Sequence, residues 1–391
     1  MALHGKTILL AWELGEGLGH LPALKAIALA AKAEGAKPVF ALRDTMLTRA
    51  ALAEIEAPVL AAPFWPTPAL PKDASGSYAD ILAGNGFGSA ANARAMITAW
   101  DQLFDTVKPD LIVCEHAPGA ALAAFGRIPA AFVGNGFVVP PADADVFPRY
   151  DEGRGEPQPQ QPSVLAAVQE ALRDLGREAP RAITEPFRGA FRGVFTFPEL
   201  DMYRGRRREA VQGPIESVPP LSPLPAQRRL FAYSAADAAL AGEIAHALMD
   251  FGPAAHAYFR GRLGARAAVM RSRGVTIYDS APQLGEILPQ ASSVFSHGGS
   301  GFTHAAFAAG RPHIVYPRHY EAQATARALE AMGAGIVLAS FEAQRFREAV
   351  ERAHDPAMRD AAQKAGATAQ AFAAKAAPLE TTMAALRALF R

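Results

Sequence analysis

Ser296-His297-Gly298-Gly299-Ser300-Gly301 follows the short apolar run Ser293-Val294-Phe295 and opens a small-residue stretch that reaches Gly310. A strand that passes through tight glycines into a helix aims free backbone N–H groups, and the positive end of the helix dipole, at whatever lies in front of them. That makes an anion site. The histidine on the same turn adds a side-chain donor, so a phosphate or diphosphate is the expected guest. Two adjacent glycines alone would equally serve a tight turn that only relieves backbone strain.

Downstream, Gly310-Arg311-Pro312-His313-Ile314-Val315-Tyr316-Pro317 reads as a turn and a buried strand closed by proline, and 321–332 as a helix ending at Gly333-Ala334-Gly335. Upstream, Val275-Thr276-Ile277-Tyr278-Asp279 reads as a strand, followed by Ala281-Pro282-Gln283 and Leu288-Pro289. In order and spacing, residues 275–338 resemble the donor-binding half of nucleotide-sugar glycosyltransferases of the GT-B fold, glycosyltransferase family 1 in particular. The resemblance implies an α/β protein of two doubly wound, Rossmann-like parallel-sheet domains facing a central cleft. It also implies inverting, metal-independent transfer of a sugar from a nucleoside diphosphate such as UDP, with no further cofactor. On this side of the reaction the expected donor contacts are Ser280, Gln283, His297, Gly298, Gly299, Ser300, Gly301 and Glu321.

Length and composition agree with that class. A chain of 391 residues exceeds the usual single core and predicts about two domains. Lys and Arg number 39 against 38 Asp and Glu, so no global field selects nucleic acid or a membrane surface. The basic run Arg204-Gly205-Arg206-Arg207-Arg208 has no interleaved aromatic residues and reads as a solvated loop. Cys114, the single cysteine, excludes an internal disulfide and a cysteine-based metal cluster. With no apolar run near the roughly 20 residues that span a bilayer and no secretion signal, the expected compartment is the cytoplasm, and the expected partners are a small-molecule acceptor and a nucleotide sugar.

Strands are predicted over 7–12, 37–42, 58–62, 111–114, 130–133 and 193–198, with helices over 21–33, 89–107, 119–125 and 163–175 between them. From 140 to 162 the pattern dissolves into Pro, Gly, Asp and Gln, the composition of a surface excursion. The first domain is placed at 1–212 and a proline-rich linker at 213–227. The second, 228–391, repeats the alternation with strands over 229–234 and 255–259 and a helix over 238–249. Its last helix could pack back on the first domain.

The loop after the first strand, Glu13-Leu14-Gly15-Glu16-Gly17-Leu18-Gly19-His20-Leu21-Pro22, begins like a dinucleotide fingerprint, but His20 stands where the third glycine belongs. At the carboxyl end of a strand, a neutral histidine can take a proton from a hydroxyl. Gly19-His20-Leu21-Pro22 is also similar to the Gly-His-x-x-Pro opening of family 1, offset by one at the proline, in which the histidine is the catalytic base. Glu115 ends the strand over 111–114 and is the expected acid behind that base, where similar transferases carry aspartate; the other reading is an acid capping the next helix. Gly19, Phe64, Trp65, Phe87 and His116 are the weaker candidates for contacts to an apolar acceptor.

Three positions depart from the family. Ser280 replaces a tryptophan that stacks on uracil, Ala305 a glutamate that holds the ribose, and Glu321-Ala322 an Asp-Gln pair that holds the sugar. Two other readings therefore stay open: a catalytically silent ligand-binding protein of the same fold, and a nucleotide-sugar epimerase.

Overall fold

The run Ile8-Leu9-Leu10-Ala11-Trp12 has no polar residue, so as a strand it must be covered on both faces. Its side chains alternate accordingly: Leu9 and Ala11 enter one apolar core, while Ile8, Leu10 and Trp12 enter another. The computed structural model describes residues 2–15, 17–66, 76–150, 160–236 and 240–391. It divides into two units, Met1–Ile215 with Ala377–Arg391, and Glu216–Ala376.

The first unit runs β1 (Thr7–Trp12), α1 (Leu21–Ala33), β2 (Lys37–Leu42), α2 (Thr45–Leu52), β3 (Val59–Ala61), α3 (Tyr78–Leu82), α4 (Ala90–Val107), β4 (Leu111–Glu115), α5 (Pro118–Ala124), β5 (Ala130–Gly134), α6 (Gln160–Asp174) and β6 (Phe191–Val194). All pairings between these strands are parallel, in the order β3-β2-β1-β4-β5-β6. Trp100, Phe104, Val164 and Val168 from α4 and α6 cover one face, and Leu24, Ile27 and Ala28 of α1 cover the other.

The second unit runs β7 (Leu230–Ala235), α7 (Ala241–Met249), β8 (Ala255–Arg260), α8 (Ala265–Ser272), β9 (Thr276–Tyr278), α9 (Leu284–Ile287), β10 (Ser293–Ser296), α10 (Ser300–Ala308), β11 (His313–Val315), α11 (Tyr320–Ala331), β12 (Gly335–Val337), α12 (Ala343–Arg352) and α13 (Pro356–Ala373). Its strands are again parallel, in the order β12-β11-β10-β7-β8-β9. The chain then returns to the first unit as α14 (Pro378–Ala388), whose Met383 and Leu386 join the core beside α1.

Several boundaries differ from the sequence reading. β6 lies at Phe191–Val194, earlier than the expected 193–198. α6 starts at Gln160, and 151–159, most of the expected excursion's proline-rich tip, fall outside the described residues, as do 238 and 239 of the expected helix over 238–249. Residues 219–225, read from composition as linker, are bound into the second unit. The buried Arg311 guanidinium donates to the carbonyls of Ser222, Pro223 and Ala291, and Gln363 and Gln370 of α13 donate to the carbonyls of Ser222 and Pro219.

Candidate active site

In each sheet the strand order reverses once, between β1 and β4 in the first unit and between β7 and β10 in the second. Loops leaving the carboxyl ends of such strand pairs part to opposite faces and open a crevice, so ligands of open α/β sheets bind there. Both predicted histidines lie at these points.

In the first unit His20 ends a short 3-10 turn, Leu18–His20, that leads into α1. Its Nδ1 lies 2.7 Å from Oε2 of Glu115, the last residue of β4. An ionised carboxylate only accepts, so Nδ1 carries the proton and Nε2 is the basic nitrogen. The imidazole stacks on Trp12 with ring centroids 5.2 Å apart and planes 20° from parallel, and the indole is fixed by donating to the Leu14 carbonyl at 2.6 Å. Two glycines leave room for the pair. A Cβ on Gly15 (φ 89°) would collide with His20 Nε2, and one on Gly134 (φ 136°) would collide with Val138 Cγ2 and crowd Glu115 Oε1 at 3.2 Å.

His116 adopts a left-handed backbone (φ 49°), and its carbonyl accepts the Leu14 amide at 2.9 Å, which ties the β4 and β1 loops together. Its buried ring lies 5.8 Å from that of His20 and edge-on to Phe137 at 5.5 Å. Burial, with His20 and Arg43 nearby, holds its pKa well below the usual histidine value, so it packs as a neutral ring. Glu13 escaped the sequence reading. Its buried carboxyl accepts the amides of Gly119 at 2.6 Å and Ala120 at 3.4 Å, and burial pushes its pKa up to about 8. The available signal was that α5 opens on Ala117-Pro118 with no side-chain cap of its own.

The expected acceptor contacts separate. Phe87 is fully buried in the first core and is corrected to a packing residue. Trp65 lies over Gly86, where a Cβ would approach within 3.0 Å, and Phe64 is an exposed ring beneath the Arg43 guanidinium at 4.5 Å. Gly19 has no neighbour within 4 Å of where its Cβ would be, so it stands in open space.

In the second unit His297 follows β10. Its Nε2 lies 2.9 Å from Ser234 Oγ on β7, and its Nδ1 3.4 Å from the Tyr316 carbonyl beyond β11. Nδ1–H donates to that carbonyl, so Nε2 takes the serine proton. Burial pushes the ring's pKa down to about 4, helped by the charges of Arg318, His319 and Arg260. These three, with Ser234, are site residues that sequence reading missed; their signal was position, since each lies at or just past the carboxyl end of a strand.

The glycine loop is narrower as a cradle than expected. The Gly298 amide donates to Ser296 Oγ at 3.0 Å, and that hydroxyl also pairs with His313 Nε2 at 2.8 Å, so this amide is turned inward. A Cβ on Gly298 (φ 79°) would lie 3.0 Å from Ala322 Cβ and Val315 Cγ1, which makes close approach to α11 its structural role. Gly299 is the N-cap of α10 and supplies no side-chain cap; the first helical bond runs from the Thr303 amide to the Gly299 carbonyl. The amides of Ser300, Gly301 and Phe302 therefore head the helix. Ser280 is exposed after β9, Gln283 is the N-cap of α9, and Glu321 lies in the first turn of α11.

Residues 272–387 match the family described as the C-terminal domain of erythromycin biosynthesis protein CIII-like proteins. A segment of 67 residues is 42% identical to the NDP-glycosyltransferase YjiC of Bacillus subtilis (strain 168), a match that covers 17% of this chain and 17% of that relative. Among solved structures, the calicheamicin glycosyltransferase CalG4 superposes with a TM-score of 0.68 at 19% identity, covering 98% of each chain. The spinosyn rhamnosyltransferase SpnG complexed with thymidine diphosphate gives a TM-score of 0.60 at 17% identity, covering 97% of this chain and 99% of that one. The fold is that of the GT-B glycosyltransferases. Within it, His20 and His297 occupy the two places where the strand order reverses.

Proposed function

We propose that this chain is an inverting, metal-independent glycosyltransferase that moves a sugar from a nucleoside diphosphate to a hydroxyl of a small-molecule acceptor. The observation that carries the reading is the 2.7 Å contact between His20 Nδ1 and Glu115 Oε2, which fixes a basic Nε2 at the reversal point of the first sheet. The acceptor hydroxyl gives its proton to His20 Nε2, and its oxygen forms the new bond to the anomeric carbon. The bond from that carbon to the diphosphate oxygen breaks, and the diphosphate leaves with the electron pair. Glu115 stabilises the imidazolium that forms. The leaving charge is received by the head of α10 and by Arg260 and Arg318, which lie close enough for their charges to act on His297, while Glu321 holds sugar hydroxyls.

The reading is supported by the resemblance of residues 272–387 to a biosynthetic family domain and by structural neighbours that are glycosyltransferases. It is tested by incubating the protein with UDP-, TDP- and GDP-sugars and a panel of hydroxylated acceptors, following nucleoside diphosphate release and the product anomer by NMR. A product of opposite anomeric configuration to the donor is expected. Retained configuration overturns the inverting step, and no release from any donor, with or without acceptor, overturns the transferase.

A further inference from the structure

Tyr233, Tyr258 and Tyr278 are direct register partners on three adjacent strands, Tyr233 opposite Tyr258 and Tyr258 opposite Tyr278. In a parallel sheet such partners project from the same face, so the three rings form one row across β7, β8 and β9. The row continues onto α10: Phe302, in its first turn, stacks on Tyr233 with ring centroids 5.1 Å apart and planes only 12° from parallel. Tyr233 and Tyr258 lie 5.6 Å apart, and the Tyr278 hydroxyl is held by His256 Nδ1 at 3.1 Å. Phe231 and Val294 on the same face are fully buried, whereas all three tyrosines are only half-buried. The row is therefore part core and part open surface.

Resting on the function proposed above, we infer that this tyrosine row is the platform on which the base of the nucleoside diphosphate stacks, in place of the missing ring at Ser280. Topology sets the direction. The head of α10 follows β10, with β11 and Glu321 on one side of it and β7, β8 and β9 on the other. A diphosphate held there sends its sugar toward Glu321 and its nucleoside toward the tyrosines. Arg260 ends β8 two residues after Tyr258, and its charge is felt both by Tyr233 and by His297, so a cation joins the aromatic row to the phosphate loop. Ser280 and Gln283 follow Tyr278 in the same chain segment and border the platform. Every base has a π-face, so such a platform takes uracil, thymine and guanine alike.

Calorimetry with UDP, TDP, GDP and inorganic pyrophosphate on wild type, Tyr258→Leu and Tyr258→Phe tests the assignment. Tyr258→Leu should weaken all three nucleotides about 5- to 100-fold, leave pyrophosphate unchanged, and be rescued by Tyr258→Phe. In wild-type protein the base protons of bound nucleotide should shift upfield in the NMR spectrum, a readout that needs no variant to fold. Nucleotide affinity retained in Tyr258→Leu, equal losses for nucleotide and pyrophosphate, or base protons that do not shift overturn the platform alone. Wild-type protein that binds no nucleotide overturns the platform and the transferase together.

Discussion

His20 and Glu115 meet at 2.7 Å across the point where the strand order of the first sheet reverses. His297 and Ser234 make the corresponding contact at 2.9 Å in the second sheet, with the histidine now after the later strand of the pair and accepting rather than donating. One histidine is backed by a carboxylate and suits proton transfer. The other is backed by a hydroxyl and a carbonyl and stays neutral.

His20→Ala is expected to lower turnover by ~10²–10⁴ while leaving nucleoside diphosphate affinity unchanged, because the proposed nucleotide site belongs to the other unit. Glu115→Gln should lower turnover through the same step, since an amide cannot stabilise the imidazolium, again with unchanged nucleotide binding. Steady-state kinetics beside calorimetry separates the two quantities, and near-wild-type turnover in His20→Ala would remove the residue from the mechanism.

A histidine with a pKa of about 4 carries no proton at neutral pH, so nucleotide binding should draw no proton onto His297 from solvent. Calorimetry at pH 6.5 in two buffers of different ionisation enthalpy should give the same binding enthalpy. Uptake near one proton would show that the anion recharges the ring. His297→Ala should still weaken nucleoside diphosphates, by about 1–2 kcal/mol, through the loss of the ring that holds the Ser234 hydroxyl beside the phosphate loop.

Glu13 makes stability depend on pH in a defined direction. Its folded pKa of about 8 stands above the ordinary glutamate value of 4.5, so between those pH values the unfolded chain releases a proton that the folded chain keeps. Stability from this group is therefore full below the unfolded value, falls as pH rises through the window, and levels off above about 8. Glu13→Gln should flatten the fall in melting temperature between pH 5 and 8. An unaltered pH profile in that variant would mean that the carboxyl ionises inside the fold.

Ala305 is 5% exposed and packs with Phe231, Leu288, Val294 and Phe302. Apolar side chains fill the position at which the sequence resemblance implied a ribose-binding glutamate, so Ala305→Glu should not create ribose contacts. It should instead destabilise the second unit by roughly 3 kcal/mol or more, the cost of an unpaired buried carboxyl. Denaturation that leaves stability intact, with tighter binding of ribonucleotides over 2′-deoxy forms, would show an open pocket instead.

The bounds of β1, α1 and β2 were legible residue for residue, because a doubly covered parallel strand is a continuous apolar run and Gly35 closes the helix. The positions of His20, Glu115 and His297 at the carboxyl ends of strands were legible as well. The inward turn of the Gly298 amide was not, since Ser296 and His313, which hold it, lie on two different strands. The tyrosine row escaped for the same reason: Tyr233, Tyr258 and Tyr278 are far apart in sequence, and only strand register makes them neighbours. Phe87 was misplaced because a ring in a loop-like Gly-Asn-Gly-Phe context carries no local mark of burial.

The first unit is discontinuous in sequence, closed by α14, whose Met383 and Leu386 fill the core beside α1 and whose Arg387 pairs with Glu34 at 2.7 Å. During synthesis its first 215 residues emerge long before that helix exists. The second unit, an unbroken stretch, is finished earlier than the first, against the usual order in which the amino-terminal part of a chain matures first. Until α14 has been made, the α1 face of the first sheet lacks the buried side chains of Met383 and Leu386, so completion of the earlier unit depends on residues that follow the later one.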